Sequence, residues 1–384
     1  MITRCIVGGA QENTLATVIG LGRCGHEVTL ITGPSRGREG CLLDMLKEDE
    51  RVMFRVIEEP HLVREPHPWH DGMAYRRLRR HFLSEQYDII HSHSSKAGIL
   101  VRLAAREARR RGTKVVHTIH GLAFDRLQAW YANALYVGLE RLCARDTDIL
   151  ISVCEAMTRQ ALAAGVGWPG QYVTIYSGMD LGLFFEARGE RMKRRGQCGW
   201  GEHEVVLGYV GRLAPMKGAG DFLTVVREAR AQDARVRGLI IGDGPEREAL
   251  AWRAAQELPS GTVYWTGLVA PKEIAGWLAA ADVLVHASLR EGLARAVVQA
   301  LAVGIPVVSY DAGGVREVAE HDVNSRICDL GDIEALVREV CAVVRDDTLR
   351  ARLAKGAGAT DLRRFSDKHM VERIVECYER VCER

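Results

Sequence analysis

Short apolar runs without polar alternation recur along the whole chain, and longer segments with helical periodicity separate them. In the first half the runs are Ile2–Val7, Glu27–Ile31, Val52–Ile57, Asp88–Ser92, Lys114–Ile119, Asp148–Val153 and Val173–Tyr176. In the second half they are Val205–Val210, Val236–Ile241, Thr262–Trp265, Asp282–His286 and Pro306–Tyr310. A strand that is apolar at successive positions needs cover on both faces, which a parallel sheet provides. Segments such as Ala97–Arg111 and Leu293–Val303 are long and periodic enough to be the crossover helices. The expected fold is α/β, with two Rossmann-like, doubly wound parallel-sheet domains facing a cleft. At 384 residues and 47% hydrophobic content, each domain can bury its own core. The polar, Gly-containing stretch ARGERMKRRGQCGWGEHE is the expected linker, residues 187–204. It separates an N-terminal domain of residues 1–186 from a C-terminal domain of residues 205–365. Ser366–Arg384 reads as an amphipathic helix with Met370, Ile374, Tyr378 and Val381 on one face, expected to cross back onto the first domain.

The formal net charge is only +2, so bulk charge argues for no nucleic-acid partner. The basic residues are nevertheless clustered. Arg76, Arg77, Arg79 and Arg80 form one run, Arg102, Arg106, Arg109, Arg110, Arg111 and Lys114 a second, and Arg191, Lys193, Arg194 and Arg195 a third. Such runs suit solvated helix faces. The functional alternative is attraction to an anionic membrane surface or to a pyrophosphate-bearing acceptor. Of ten cysteines, Cys5, Cys24, Cys143, Cys154, Cys328 and Cys341 fall in apolar patterns and read as small buried hydrophobes in a reducing compartment. No signal-peptide pattern and no run of 18 apolar residues is present, so a cytoplasmic protein is expected.

Three pieces in the second half carry chemistry. After the strand VVLGYV comes Gly211-Arg212-Leu213-Ala214-Pro215-Met216-Lys217-Gly218, with a helix opening near Gly220-Asp221. Fixed positive charge beside a helix N-terminus suits a diphosphate on which negative charge develops. Arg grips phosphate oxygens in a bidentate way and Lys acts as a point charge. A solvated loop would read the same. After DVLVHAS comes SLREGLARAVVQALA, in which Glu291 precedes a helix that carries Gln299. A carboxylate there can accept from sugar hydroxyls, and the amides of Gly292 and Leu293, expected at the helix start, can point at phosphate. Helix capping is the plainer alternative for Glu291. Third, Gly242-Asp243-Gly244 follows the strand VRGLII, and Gly244 would let a base or ribose approach closely. A simple turn is the alternative. In the first half, His91, His93, His117 and His120 all lie near strand ends, and the Thr-Ile-His-Gly context marks His120 as the exposed one.

Two patterns are decoys. Gly20-Leu21-Gly22-Arg23-Cys24-Gly25 matches a dinucleotide fingerprint, but it ends a helical pattern where the fingerprint should follow a strand. Asp146-Thr147-Asp148 matches a metal-holding D-x-D, but it caps a helix far in sequence from the other pieces.

In this order the pieces resemble the glycosyltransferase family 4 group, which has the GT-B fold. GRLAPMKG looks like its G-R-L-x-x-x-K-G motif, and SLREGLARAVVQALAVGIPVV like its E-x7-E signature. The opening GGAQENTLATVIGLGRCGHEVTLITG is similar to the family's Gly-Gly loop. HSHSSKAGILVRLAARE and VVHTIHGLAF resemble a subgroup of bacterial polysaccharide assembly. The resemblance implies retaining transfer of a sugar from a nucleotide diphosphate donor, with uridine the favoured base, to a saccharide or lipid-linked saccharide. It implies that Arg212 and Lys217 neutralise the diphosphate, with Gly211 opening their loop. Glu291 would hold sugar hydroxyls, position 299 the ribose, and His120 would sit by the reacting centre. Gly8 and Gly9 would admit donor phosphate or acceptor. No metal or other cofactor is implied, since the two cations take the metal's role. The chain departs from the signature at Gln299, which stands where the second carboxylate is expected; an amide can still bond a diol. A nucleotide-sugar 2-epimerase, or a non-catalytic nucleotide-sugar-binding protein, would share the architecture.

Overall fold

The structure is a computed structural model that describes residues 1–4, 8–34, 41–63, 65–125 and 128–383. It divides into two compact units, Met1–Met179 with Arg364–Arg384, and Asp180–Arg363.

The first unit is a seven-stranded sheet. Its strands are β1 (Ile2–Arg4), β2 (Thr29–Gly33), β3 (Arg55–Glu58), β4 (Ile89–His93), β5 (Lys114–Ile119), β6 (Ile149–Ser152) and β7 (Tyr172–Thr174). They are all parallel, in the order β3-β2-β1-β4-β5-β6-β7. Cys5, Ile6 and Val7, expected to extend β1, lie outside the described residues. Successive residues of a strand face opposite sides of a sheet. Accordingly Val115 joins a cluster with Ile90, Val101 and Phe82, while Val116 joins Ile151, Val371 and Ile374 on the other face. Val371 and Ile374 come from the helix Asp367–Cys382, whose apolar stripe, including Met370, Tyr378 and Val381, is buried. It lies along the helix Gly9–Arg23, where Gly20 makes room for it, because a Cβ at Gly20 would overlap Val371. That glycine belongs to the first decoy, which ends this helix before Gly25 turns in a left-handed conformation (φ 88°). Of the cysteines expected inside, Cys143, Cys154, Cys328 and Cys341 are buried; Cys24, at the helix end, is exposed, and Cys5 lies outside the described residues.

The second unit holds β8 (Val205–Val210), β9 (Val236–Ile241), β10 (Val263–Trp265), β11 (Val283–His286), β12 (Val307–Tyr310) and β13 (Ser325–Cys328). These are also parallel, in the order β10-β9-β8-β11-β12-β13. β13 was not evident from sequence. It is a four-residue edge strand whose Arg326 is tied to Glu339 at 2.6 Å, so no apolar run announces it. The expected single helix over Ala97–Arg111 is two, Ser95–Ala104 and Arg106–Arg110.

Residues 187–204 are not a linker. A helical turn, Ala187–Glu190, and a helix, Arg191–Gln197, fold into the second unit. Arg195 is fully buried, donating to Ala280 O at 2.9 Å and to Asp282 at 2.6 Å. Arg191 pairs with the same carboxylate, which also accepts the Val206 N–H at 2.7 Å. These charges therefore tie the amino ends of β8 and β11 together. Composition registers them as polar, while the fold supplies the carboxylate that neutralises them.

Gly20→Ala tests the helix contact. Ala gains about 1 kcal/mol of helix propensity over Gly, whereas overpacking costs ~1–3 kcal/mol. In urea unfolding the substitution should destabilise the wild type and cost clearly less in a Val371→Ala background, where the methyls at 2.4 and 2.9 Å are gone and only the Cβ at 3.2 Å remains. Stabilisation in both backgrounds would show that Gly20 is not a packing requirement.

Candidate active site

In a doubly wound sheet the strand order reverses at one place, and the loops leaving the two strands there depart to opposite faces. In the second unit that place lies between β8 and β11. Lys217, on the loop after β8, and Glu291, on the loop after β11, meet across it at 2.8 Å. His286 closes β11, and its Nε2 lies 3.6 Å from the same Glu291 oxygen with no hydrogen-bond partner among the described residues. Burial lowers the His286 pKa, with Glu291 pulling it up and Lys217 pushing it down, so the ring is neutral at pH 7. Sequence reasoning missed His286, which read only as a strand end.

The loop bearing Arg212 and Lys217 is fixed by its backbone. Leu213 is buried, its N–H donates to Asp243 O at 2.9 Å, and its carbonyl accepts from Glu246 N–H at 3.0 Å. The Tyr209 hydroxyl lies 3.3 Å from Arg212 O and 3.2 Å from Lys217 O, drawing both residues into one turn. Met216 is left-handed (φ 71°), and its carbonyl accepts from the Leu289 N–H at 2.9 Å and the Ser288 hydroxyl at 3.2 Å. Gly218 is left-handed as well (φ 74°), and a Cβ there would collide with the Ala287 carbonyl. The loop is thus bonded to the loops after β9 and β11. Arg212 is exposed.

The other expected residues of this unit fall around the same strand ends. Gly211 bonds through its N–H to Ile241 O at 3.1 Å. A Cβ at Gly244 would collide with the Leu213 backbone, so internal packing already requires glycine there. Gly292 and Leu293 are buried, but they do not begin a helix, which runs Arg295–Val303 with Ala294 as its cap. The Gly292 carbonyl instead accepts from Gly314 N–H at 2.8 Å. Gln299 sits in that helix's second turn, 6% exposed.

The first unit repeats the plan, with its reversal between β1 and β4. Gly8 caps the helix Gly9–Arg23, and its carbonyl accepts from Gln11 and Glu12. At β4 and β5 the histidines form a column. The Tyr378 hydroxyl meets His91 Nδ1 at 2.6 Å, and His91 Nε2 meets Thr118 Oγ1 at 2.7 Å. His91 stacks on His93 with ring centroids 4.4 Å apart, and His93 Nδ1 lies 3.0 Å from His120 Nε2. His117 bonds to Ser92. Three of the four are buried, while His120 is half-buried and lines a hollow with Ser94, Ser95, His117, Phe124 and Glu140. Lys96 of the HSSKAG stretch is a staple, donating to Val63 O at 3.0 Å and pairing with Asp71 at 2.6 Å.

Both carboxylates of the second decoy are engaged by arginines: Asp146 by Arg106 at 2.5 Å, and Asp148 by Arg109 at 2.8 Å. The basic runs are largely paired in the same way. Arg102 is fully buried against Glu140 at 2.8 Å, Arg77 meets Glu59 at 2.8 Å, and Arg79 and Arg111 share Glu107.

Two parallel α/β sheets, of seven and six strands, are the architecture of the GT-B glycosyltransferases. The family model described as glycosyl transferases group 1 matches residues 190–359, and that of the glycosyl transferase 4-like domain matches residues 8–178. The UDP-Gal:alpha-D-GlcNAc-diphosphoundecaprenol alpha-1,3-galactosyltransferase of Escherichia coli is 27% identical over 351 residues, 88% of this chain and 86% of that protein. The GDP-mannose-dependent alpha-mannosyltransferase of Mycobacterium tuberculosis is 28% identical over 363 residues, 91% and 87%. In fold, the chain is similar to Anabaena HepE, solved with UDP and glucose, with TM-score 0.81, 22% identity and 98% of each chain covered. The chain belongs to the GT4-type, group 1 glycosyltransferases. It is accordingly a transferase.

The buried histidines generate a pH prediction. Burial holds His91, His93 and His117 well below the 6.5 of a free imidazole. Below pH 6.5 the unfolded chain takes up protons at these sites while the folded chain resists them, so stability falls as pH falls. Each site contributes up to about 1.4 kcal/mol per pH unit. The urea midpoint should drop between about pH 7.5 and about pH 5.5. A flat midpoint over that window would contradict the neutral, buried assignment.

Proposed function

We propose that the chain moves a sugar from a nucleotide diphosphate donor, with UDP the favoured carrier, to a saccharide or lipid-linked saccharide, with retention at the anomeric carbon. The observation that carries the proposal is the pairing of Lys217 with Glu291 at the reversal point of the second sheet. Lys217 is about a third exposed and so able to leave Glu291 for a diphosphate; an ion pair so open to water is worth at most about 1 kcal/mol. Glu291, freed of its cation in a largely buried position, then accepts from sugar hydroxyls. Arg212 supplies the second positive charge, and no metal is needed to neutralise the leaving diphosphate. Gln299 bonds the ribose as donor and acceptor. His120 stands by the reacting centre. Gly8, extended at φ 170°, is required by no backbone strain, and among the described residues its Cβ would meet only the flexible end of Gln11. That supports a glycine kept for ligand approach. The names of the relatives, one acting on a sugar carried by diphosphoundecaprenol, and the UDP in Anabaena HepE favour this donor and acceptor class.

The acceptor hydroxyl attacks the anomeric carbon as the diphosphate leaves from the same face, and the leaving phosphate oxygen takes the hydroxyl proton. Electrostatic stabilisation of the leaving group is the main protein contribution. Removing one such donor typically costs ~3–4 kcal/mol of barrier. Arg212→Ala and Lys217→Ala should each lower turnover by about two to three orders of magnitude in purified, folded protein. Near-normal turnover in either would refute its role.

Peripheral contact with an anionic membrane is part of the proposal. No described helix is long and apolar enough to cross a membrane. Since the basic runs are mostly paired internally, docking falls to the exposed Arg76, Arg80 and Arg110. It also falls to the helix Trp130–Ala144, which exposes Trp130, Tyr131 and Leu135. Cosedimentation with anionic vesicles should be salt-sensitive and weakened by Trp130→Ala. The same sedimentation with neutral vesicles, or none with either, would remove this part.

A further inference from the structure

Within the histidine column, His93 has no contact with solvent and a geometry that fixes where its proton sits. Its Nδ1 lies 3.0 Å from His120 Nε2, while its own Nε2 is buried with no hydrogen-bond partner among the described residues. A hydrogen bond between two imidazole nitrogens needs one N–H and one lone pair. Were the His93 proton on Nε2, a buried N–H would point at nothing, an arrangement that folded proteins rarely tolerate. With the proton on Nδ1 the bond to His120 is made, and only a lone pair is left unmatched.

We infer that His93 is a positioning residue that donates its Nδ1–H to His120 Nε2, and so holds His120 neutral with its own proton on Nδ1. Protonating His120 at Nε2 would turn the bond around. His93 would then have to move its proton to the orphaned Nε2 or lose the bond, and either course leaves a buried polar group unsatisfied. His93 itself resists charging, because burial and the neighbouring rings oppose it. His91 stacks on His93, and His117 and the N-terminal amine of Met1, itself pushed down to about 5 by burial, also oppose a charge on His93. The carboxylate lining the hollow, Glu140, is already paired with Arg102. The Tyr378 hydroxyl and Thr118 lock His91, so His93 packs against a ring that cannot turn. The column thus runs from the C-terminal helix to His120.

The consequence for catalysis rests on the proposal that His120 borders the reacting centre. A neutral ring there borders the forming oxocarbenium without placing a full positive charge beside it.

Long-range proton–nitrogen NMR of the whole chain, labelled with ¹⁵N-histidine and titrated without substrate, reads both the tautomer and the titration of His120. In the wild type the protonated nitrogen should be Nδ1. In His93→Phe, which keeps a ring in the stack and removes the donor, the His120 titration should move up by about one pH unit, a tenfold gain in proton affinity. His93→Asn, whose amide can donate in the same place, should restore the wild-type titration. A wild-type His120 protonated on Nε2 overturns the inference, as does an unchanged titration in folded His93→Phe. If His93→Phe does not fold, the wild-type tautomer and His93→Asn decide. Because no substrate is used, this outcome is independent of turnover in Arg212→Ala.

Discussion

Parallel strands impose the geometry on which everything else depends. Two neighbouring parallel strands cannot be joined by a tight turn, so every connection must return over a face of the sheet. The strands become buried on both sides, and all the loops that follow them gather at one edge. In each unit the order reverses once, at β1/β4 and at β8/β11, and there the departing loops leave a crevice between them. Residues far apart in sequence, such as Lys217 and Glu291, become neighbours only because β8 and β11 are neighbours.

The two units use that edge differently. In the second, backbone bonds hold the loop rigid while its cations stay adjustable. Gly218 admits close approach, Tyr209 and Leu213 anchor the backbone, and Lys217 rests against Glu291. Such a pair keeps a carboxylate from being buried alone while costing little to open. In the first unit, neutral rings fill the edge and bond to one another and to Tyr378. There, low local polarity excludes charge, and hydrogen bonds decide which nitrogen carries each proton.

Much of this was legible in the chain. Apolar runs of strand length marked twelve of the thirteen described strands, most of them because a strand buried on both faces has few polar positions to hide it. Glycines beside charged residues marked the three loops of the second unit, because a left-handed turn and a close backbone approach exclude other residues. The resemblance carried by those loops gave the family before any coordinate did.

What remained hidden has one cause. A residue's type states what it can bond to, but only packing states what it meets. Arg195 and Arg102 looked like surface charge until Asp282 and Glu140 stood beside them. The run at 187–204 looked like a linker for the same reason, and β13 was too polar to stand out. His93 and His286 were two of many strand-end histidines; their unmatched nitrogens exist only once the chain has closed around them. The sequence alone determined the parallel α/β architecture and the positions of the loops, since both follow from local periodicity and backbone sterics. The tertiary structure decided which charges are cancelled, which are left to act, and where the imidazole protons reside, since these depend on contacts between residues dozens to hundreds of positions apart.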